Sequence, residues 1–438
     1  MKETVVCADA GLVRSFRRWD LVAVTVNAVI GAGIFGLPSR VYGLAGAYSL
    51  PAFLLCGVFT GMIVLCFAEV GSRFRETGGP YLYAGEAFGP AVGFTIGWLT
   101  WIARIAAFAA NTSILLGYLG LFWPEIGGRP RFVVICGVIL VLATINLLGV
   151  RDVAVATNLF TVGKLAPLVL LIVAGFWYLN PRSFALGAAP SPHVFSEAML
   201  LLVYAYTGFE MAAIPAAEMR DPQRDLPVAL LFGIGVVALF YILIQAVCIG
   251  ALPGLSASDR PLADAAARFL GSGGAAIISA GAVISIAGNL NVVVLSASRL
   301  PFAMARRGEL PAWLGAIHGR FHTPHMAIFV TTALMGALTL SGTFLYAVTV
   351  STIARLVIYG TTCAALPVLR RRTGAPSPPF RVTAGVPISM LTLALASWLL
   401  WNTTWRELRD TAIAAAVGWV LYGLSKKRAA EGRIATRP

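Results

Sequence analysis

The sequence predicts an all-α membrane protein of twelve transmembrane helices, ten of them forming a 5+5 inverted repeat with helices 1 and 6 broken. Three observations predict it. Of the 438 residues, 58% are apolar and 12% are charged, against about 45–50% and about 25% in soluble domains. Twelve apolar runs follow one another, and at roughly 20 residues per crossing they use a little over half of the chain. Glycine and proline interrupt the first and the sixth of these runs.

In order, the runs cover 21–43, 49–71, 87–120, 132–149, 157–179, 196–217, 227–251, 275–304, 326–342, 344–367, 385–401 and 410–425. The third and eighth are longer than a perpendicular crossing needs, so they tilt or project beyond the bilayer. Only the turn Ser341-Gly342-Thr343 parts the ninth from the tenth. The N-terminal tail has no apolar core followed by a small-residue cleavage site, so no removable leader is expected.

The net charge of +14 reads as topology rather than as a nucleic-acid surface. With the N-terminus inside, 22 Lys and Arg fall on the inner side, 8 on the outer side, and three (Arg104, Lys164 and Arg355) within runs. That bias places both termini in the cytoplasm of a multi-pass cell-membrane protein. The six cysteines contain no Cys-x-x-Cys pair, and all but Cys7 lie in apolar segments, so neither a disulfide framework nor a zinc site is expected.

The first run carries Gly31-Ala32-Gly33-Ile34-Phe35-Gly36-Leu37-Pro38, and the sixth carries Tyr204-Ala205-Tyr206-Thr207-Gly208-Phe209-Glu210, with Pro215 beyond. Glycine in a membrane helix is often only a packing device. Two interruptions at matching depth, five helices apart, point instead to inverted repeats with a site between two broken helices. At such a break one half-helix offers free carbonyls and the next offers free amide hydrogens. The carbonyls attract an ammonium, the amides a carboxylate, and the half-helix dipoles reinforce both. A zwitterion, hence an amino acid, is the natural ligand; its side chain stays unread.

These motifs resemble the amino acid–polyamine–organocation superfamily and its amino acid permeases. The match is carried by GAGIFGLP at 31–38, FTVGKLAP at 160–167, the GFE…EMRDPQRDLP pattern over 208–227 and SRLPFAMARRGELP at 298–311. It covers about residues 15–425. The resemblance implies a leucine-transporter-like fold. Its parts are a cytoplasmic tail (1–20), helices 1–5 (21–180), helices 6–10 (195–370), appended helices 11 and 12 (385–425) and a second cytoplasmic tail (426–438). It also implies secondary active transport of amino acids or related amines.

Carried onto this sequence, the resemblance sets the substrate carboxylate against the main chain of Ala32, Gly33 and Ile34. It sets the ammonium against carbonyls of Val29, Tyr204 and Thr207, at the Gly208 break, with Phe209 and Tyr206 as the nearest gating rings. Ala32 stands where many relatives have a hydroxyl residue, so side-chain help for the carboxylate is missing. The resemblance further implies that Lys164 takes the place of a bound sodium ion and couples transport to protons. Ser285 is the helix 8 hydroxyl nearest to expectation, although Ala287-Gly288-Asn289 occupies the centre of that run.

The residues alone leave other readings open. Lys164 lies about 10 Å from the cytoplasmic end of its helix, within reach of snorkelling to that face. Arg104 and Arg355 sit mid-run in helices 3 and 10, which relatives use to line the pocket. They select an acidic side chain or exclude cations, or they pair with Glu210, Glu69 or helix-end carbonyls. The second reading is the plainer one. Glu210 is read as a structural or gating partner rather than as a substrate ligand. His318, His322 and His325 share a segment with Gly319, Arg320 and Pro324, which argues for a solvated loop over a metal site.

No phosphate-binding Gly-x-x-x-x-Gly-Lys-[Ser/Thr] stretch is present, so no nucleotide motor is expected. The overall expectation is a proton-coupled, sodium-independent amino acid carrier. It would need no cofactor and no metal; its partners are substrate, proton and lipid, with no nucleic acid. Amino acid/amine exchange is the alternative, and a non-transporting nutrient sensor is a remote one. An enzyme is not expected, because no base and oxyanion arrangement is apparent.

Overall fold

The computed structural model describes residues 18–74, 79–127, 130–148, 153–213, 219, 221–341, 343–372 and 378–435, with backbone alone at 127, 153–162, 222 and 427–435. Cys7 and the rest of 1–17, together with Pro215, Glu218, Arg220 and Gly342, lie outside the described residues. The long elements are all helices. They are α1 (Arg18–Val29), α2 (Gly33–Ala45), α3 (Ser49–Gly71), α4 (Pro80–Phe88), α5 (Pro90–Leu119), α6 (Pro130–Leu148) and α7 (Val153–Gly175). There follow α8 (Pro192–Ala205), α9 (Pro222–Ala251), α10 (Pro261–Arg306), α11 (His325–Ser341), α12 (Phe344–Arg371), α13 (Gly385–Trp401) and α14 (Trp405–Ala435).

Hydroxyl side chains inside these apolar helices fold back onto their own backbones. Thr25, Thr112, Thr332 and Thr352 each donate to the carbonyl one turn earlier, at 2.8–2.9 Å, which lets a polar group live where water is absent. Helix α8 starts where the sequence gives a cap. Ser191 Oγ accepts the Val194 N–H at 3.3 Å, and Pro192 takes the first helical position, where no amide hydrogen is needed.

By length and composition, six helices among the described residues can each cross a membrane. The count reaches seven if α13 and α14, bent by 112° at their junction, are taken as one span. Twelve were expected. The second half of the first run is counted with α3 as one stretch, Gly33–Gly71. The sixth run is divided into short helices, and α11 and α13 are each 17 residues long. Helix α10 is bent at Gly271, whose φ of +67° no side-chain-bearing residue adopts readily. Helix α14 runs on past residue 425 into the expected tail, and α4 is a short helix before the third run.

The chain divides into two units, each assembled from separated stretches. The first comprises residues up to 96, 185–246 and 356–402; the second comprises 97–184, 247–355 and 403 onward. Within the first, α2 packs on α8, α3 on α8 and α13, and α1 on the turn that follows α8. Within the second, α10 is the hub, packed on α7, α6 and α11.

Candidate functional site

Helix α1 stops at Val29. The Ile30 N–H still reaches Val26 O at 2.9 Å, but the Gly31 N–H turns to Val29 O at 2.7 Å, and a new helix starts at Gly33. As the first residues of α2, Gly33 and Ile34 have amide hydrogens with no acceptor in their own helix. The sixth run breaks in parallel fashion. Helix α8 ends at Ala205, Tyr206–Gly208 form a turn, and a short 3₁₀ segment covers Phe209–Ala213. Both runs are therefore discontinuous at the glycines that the sequence singles out.

The two breaks press together main chain to main chain. A Cβ on Gly33 would stand 2.8 Å from Ala205 Cα, and one on Gly208 would stand 2.3 Å from Ala28 O. Gly208 also has φ +118°. Only glycine meets both demands at that position. Tyr241 of α9, which the sequence reading passes over, joins the breaks: its Oη lies 3.0 Å from Val29 O and 3.0 Å from Ala205 O. One turn on, Gln245 donates to Ser49 Oγ at 2.8 Å. The signal for both was a polar pair at i and i+4 within an otherwise apolar run.

The carbonyls expected to meet an ammonium differ in their remaining capacity. Val29 O accepts from Gly31 N and Tyr241 Oη, and Tyr204 O accepts from Thr207 N at 3.2 Å and Thr207 Oγ1 at 2.8 Å. A carbonyl has two lone pairs, so both are spent in this conformation. Phe209 is fully buried, its ring 5.2 Å from Phe67 and 5.0 Å from Tyr359. Tyr206 is equally buried and donates to Phe53 O at 3.0 Å. Here both rings are core, holding the break in shape. Glu210 does similar work: Oε2 accepts the Gly208 N–H at 2.9 Å and the Tyr359 hydroxyl at 2.8 Å.

The same unit holds a second polar knot. Arg370 grips Glu69 through two hydrogen bonds of 2.7 and 2.6 Å, donates to Val382 O at 2.7 Å, and Glu69 accepts the Val382 N–H at 2.9 Å. Arg73 adds a contact to Glu69 at 3.7 Å. Burial pulls the Arg73 guanidinium below its ordinary pKa, and the Glu69 charge opposes that shift. These bonds tie α3 to the end of α12 and to the segment before α13.

In the second unit, Arg104 Nη1 donates to Ser296 Oγ at 3.1 Å. Arg355 Nε donates to Ser351 Oγ at 3.3 Å, and Ser351 Oγ donates to Ala103 O at 2.9 Å. Both guanidiniums are buried, and these bonds go to hydroxyls. Lys164 is buried on α7. Helices α7 and α10 run antiparallel: Tyr178 stacks on Phe269, and a Cβ on Gly281 would meet Pro167 Cγ at 2.5 Å. That register sets Lys164, three residues before Pro167, level with Ser285, four after Gly281. Ser285 Oγ is buried and has no hydrogen-bond partner among the described residues.

His318 and His322 lie in a loop, and His325 opens α11. His318 Nδ1 accepts the N–H groups of Arg320 and Phe321 at 3.2 and 3.3 Å. Among the described residues, no group of three or more His, Cys, Asp or Glu side chains is placed to hold a metal ion.

Comparison with known proteins gives the geometry a context. A family model described as amino acid permease matches residues 16–422. The serine/threonine exchanger SteT of Bacillus subtilis (strain 168) is 29% identical over 96% of this chain and 99% of its own. The methylthioribose transporter of the same organism is 26% identical over 95% of this chain and 94% of its own. An uncharacterized transporter of Mycobacterium tuberculosis is 31% identical over 77% of this chain and 76% of its own.

Proposed function

The chain belongs to the amino acid permease family, and from that premise we propose that it is a secondary active carrier moving amino acids across the cell membrane by alternating access. The observation that carries the reading is the contact of two interrupted helices, at Gly33 with Ala205 and at Gly208 with Ala28. A close main-chain meeting of two helix breaks, with the first amides of α2 lacking acceptors in their own helix, suits a small zwitterion. In this reading Ala32, Gly33 and Ile34 offer amide hydrogens to the carboxylate. Thr207 offers its carbonyl to the ammonium, and Val29 and Tyr204 join once their present donors let go. Phe209 and Glu210 hold the sixth break in register.

The proposal extends to architecture. The first unit draws on runs 1, 2, 6, 7 and 11 and the later half of run 10; the second draws on runs 3 to 5, 8, 9 and 12 and the earlier half of run 10. Runs 1 and 2 are thus grouped with runs 6 and 7, and runs 3 and 4 with runs 8 and 9, a correspondence that supports a 5+5 repeat. Both termini face the cytoplasm on the charge bias. Lys164 fills the place of a coupling cation, making transport proton-driven and indifferent to sodium. Arg104 and Arg355, both within spans, disfavour cationic substrates.

The test is uptake of a panel of labelled amino acids into proteoliposomes holding the purified protein, with and without an inward proton gradient. Gradient-driven accumulation with sodium irrelevant is expected. No uptake of any amino acid overturns the reading, and a strict sodium requirement overturns the coupling. Exchange is a second reading, favoured by a relative named an exchanger that matches along 96% of this chain. Uptake only into vesicles preloaded with amino acid or amine identifies it.

A further inference from the structure

The knot of Glu69 and Arg370 stands where two helices of the first unit end together. Helix α3 stops at Gly71 and α12 at Arg371, and both belong to stretches long and apolar enough to cross a membrane. The two hydrogen bonds between Glu69 and Arg370 hold these ends level. Residues just beyond them therefore stand at the depth of lipid headgroups.

That rim is rich in arginine. Arg73 follows α3, Arg371 and Arg372 close α12, and Arg381 belongs to the segment that leads into α13. Val382 bonds into the knot through both its carbonyl and its N–H, which brings Arg381 alongside. Arg73 feels both Arg370 and Arg381 as like charges.

The carboxylates of the same unit do not cancel this charge. Glu69 is spent on Arg370 and Arg73. The start of α9 comes close, since a Cβ on Gly71 would stand 2.9 Å from Leu226 Cδ2. Its Asp225, however, is held by Arg18 at 2.9 Å, and Asp221 lies 3.9 Å from Arg224. Glu86 of α4 takes Arg372 Nη1 through its main-chain carbonyl. Arg371 and Arg381 are exposed, and among the described residues their side chains make no hydrogen bond or ion pair.

An apolar strip continues the surface. Met390 and Leu391 of α13 are 58% and 54% exposed, starting about 8 Å along the helix from Gly385. A free anion would use only the arginines, whereas an amphiphile uses both parts.

We propose that this rim binds an anionic phospholipid, its headgroup phosphate taken by Arg371, Arg372 and Arg381 and its acyl chains lying along α13. The planar guanidinium fork meets two phosphate oxygens at once, and basic clusters beside a span draw anionic headgroups. The lipid also braces the join of α3 to α12 through Val382, the neighbour of Arg381. The site depends on the spans and not on the substrate.

The test is native mass spectrometry of the whole chain in neutral detergent, titrated with phosphatidylglycerol or phosphatidylcholine of the same acyl chains. Phosphatidylglycerol is expected to bind about 10-fold more tightly, and that preference to fall at least about 5-fold when Arg371, Arg372 and Arg381 are all changed to Gln. Removing equal charge from the expected outer side, with Arg131→Gln, Arg182→Gln and Arg268→Gln, should leave it within about 2-fold. If the inner triple variant does not fold, Arg371→Gln and Arg381→Gln carry the test singly, each lowering the preference about 2-fold or more. No preference in the unaltered protein, a preference untouched by the inner changes, or an equal loss from the outer ones overturns the proposal. Inorganic phosphate displacing the lipid at matched concentration would make this a free-anion site and overturns it as well. No transport step enters these measurements, so their failure leaves the carrier reading standing.

Discussion

Gly208 and Ala28 meet main chain to main chain: a Cβ on Gly208 would stand 2.3 Å from the Ala28 carbonyl oxygen, and the Gly208 φ is +118°. Alanine at 208 therefore meets two obstacles. The backbone conformation costs about 1–3 kcal/mol for a residue with a side chain, and the overlap falls on a peptide group rather than on a side chain that can swing away. Gly208→Ala is expected to lower uptake per inserted molecule at least about 10-fold and to lower the melting temperature. Gly61→Ala is the control, because nothing lies within 4 Å of its Cβ position in α3, and a helical Gly→Ala change is worth about 0.5–1 kcal/mol in the stabilising direction. Equal tolerance of both substitutions would show that the breaks need not touch for transport.

Tyr241 tests whether the breaks are clamped or merely adjacent. Its single hydroxyl hydrogen is shared between the Val29 and Ala205 carbonyls, each 3.0 Å away. Tyr241→Phe keeps the ring beside Tyr206, 5.0 Å between centroids, and removes only the donor. Leaving buried acceptors short of a partner costs about 1–3 kcal/mol, so a lower melting temperature in detergent is expected. Freeing Val29 O also restores a lone pair to the proposed ammonium contact, so substrate affinity is expected to rise or hold while stability drops. A variant as stable as the original would place no weight on the clamp.

What the sequence made legible were features written in residue types that tolerate few alternatives. Gly33 and Gly208 mark the breaks because a close main-chain approach excludes side chains there, and both breaks fall where those residues stand. Most apolar runs locate their helices to within about five residues, since a lipid-facing helix cannot hide its composition. Helix α10, however, starts at Pro261, well before the run at 275–304, and α14 runs from Trp405 to Ala435 around the run at 410–425. Less legible were groups whose meaning depends on a distant partner. Phe209 and Tyr206 read as gating rings but are buried against Phe67, Tyr359 and Phe53, and nothing in their own neighbourhood along the chain names those contacts. Tyr241 looks ordinary in its run until the helix opposite is known. Arg104 and Arg355 posed the question of carboxylate partners; their bonds to Ser296 and Ser351 come from register, which a single sequence does not carry.

The Glu69–Arg370 pair predicts a non-additive result. Glu69 is fully buried and accepts from Arg370 twice and from the Val382 N–H. Breaking a buried pair from one side strands the other charge, at about 3–5 kcal/mol, whereas replacing both partners by apolar groups is often nearly neutral. Arg370→Met is expected to destabilise the protein strongly, and the double variant with Glu69→Met to recover part of that loss, because the buried Arg73 then gives up its own contact with Glu69. Melting of the purified single and double variants closes the cycle. If the double variant is as unstable as the sum of the singles, the pair is not acting as a unit.

Lys164 and Ser285 predict the coupling. The antiparallel register of α7 and α10 sets the buried Lys164 side chain level with a buried hydroxyl that has no partner among the described residues. An ionised lysine at span depth costs about 2.5–3.5 kcal/mol or more, so its charge is retained for a reason or is given up during the cycle. In the proposed reading a proton arrives and leaves there. Lys164→Met keeps the stem and abolishes the proton site. It is expected to leave downhill exchange measurable while removing any acceleration by an inward proton gradient, and sodium should not restore it. Ser285→Ala should be milder, shifting the external pH at which uptake is half-maximal without abolishing the response. Full gradient-driven accumulation by the methionine variant would move the coupling site away from α7.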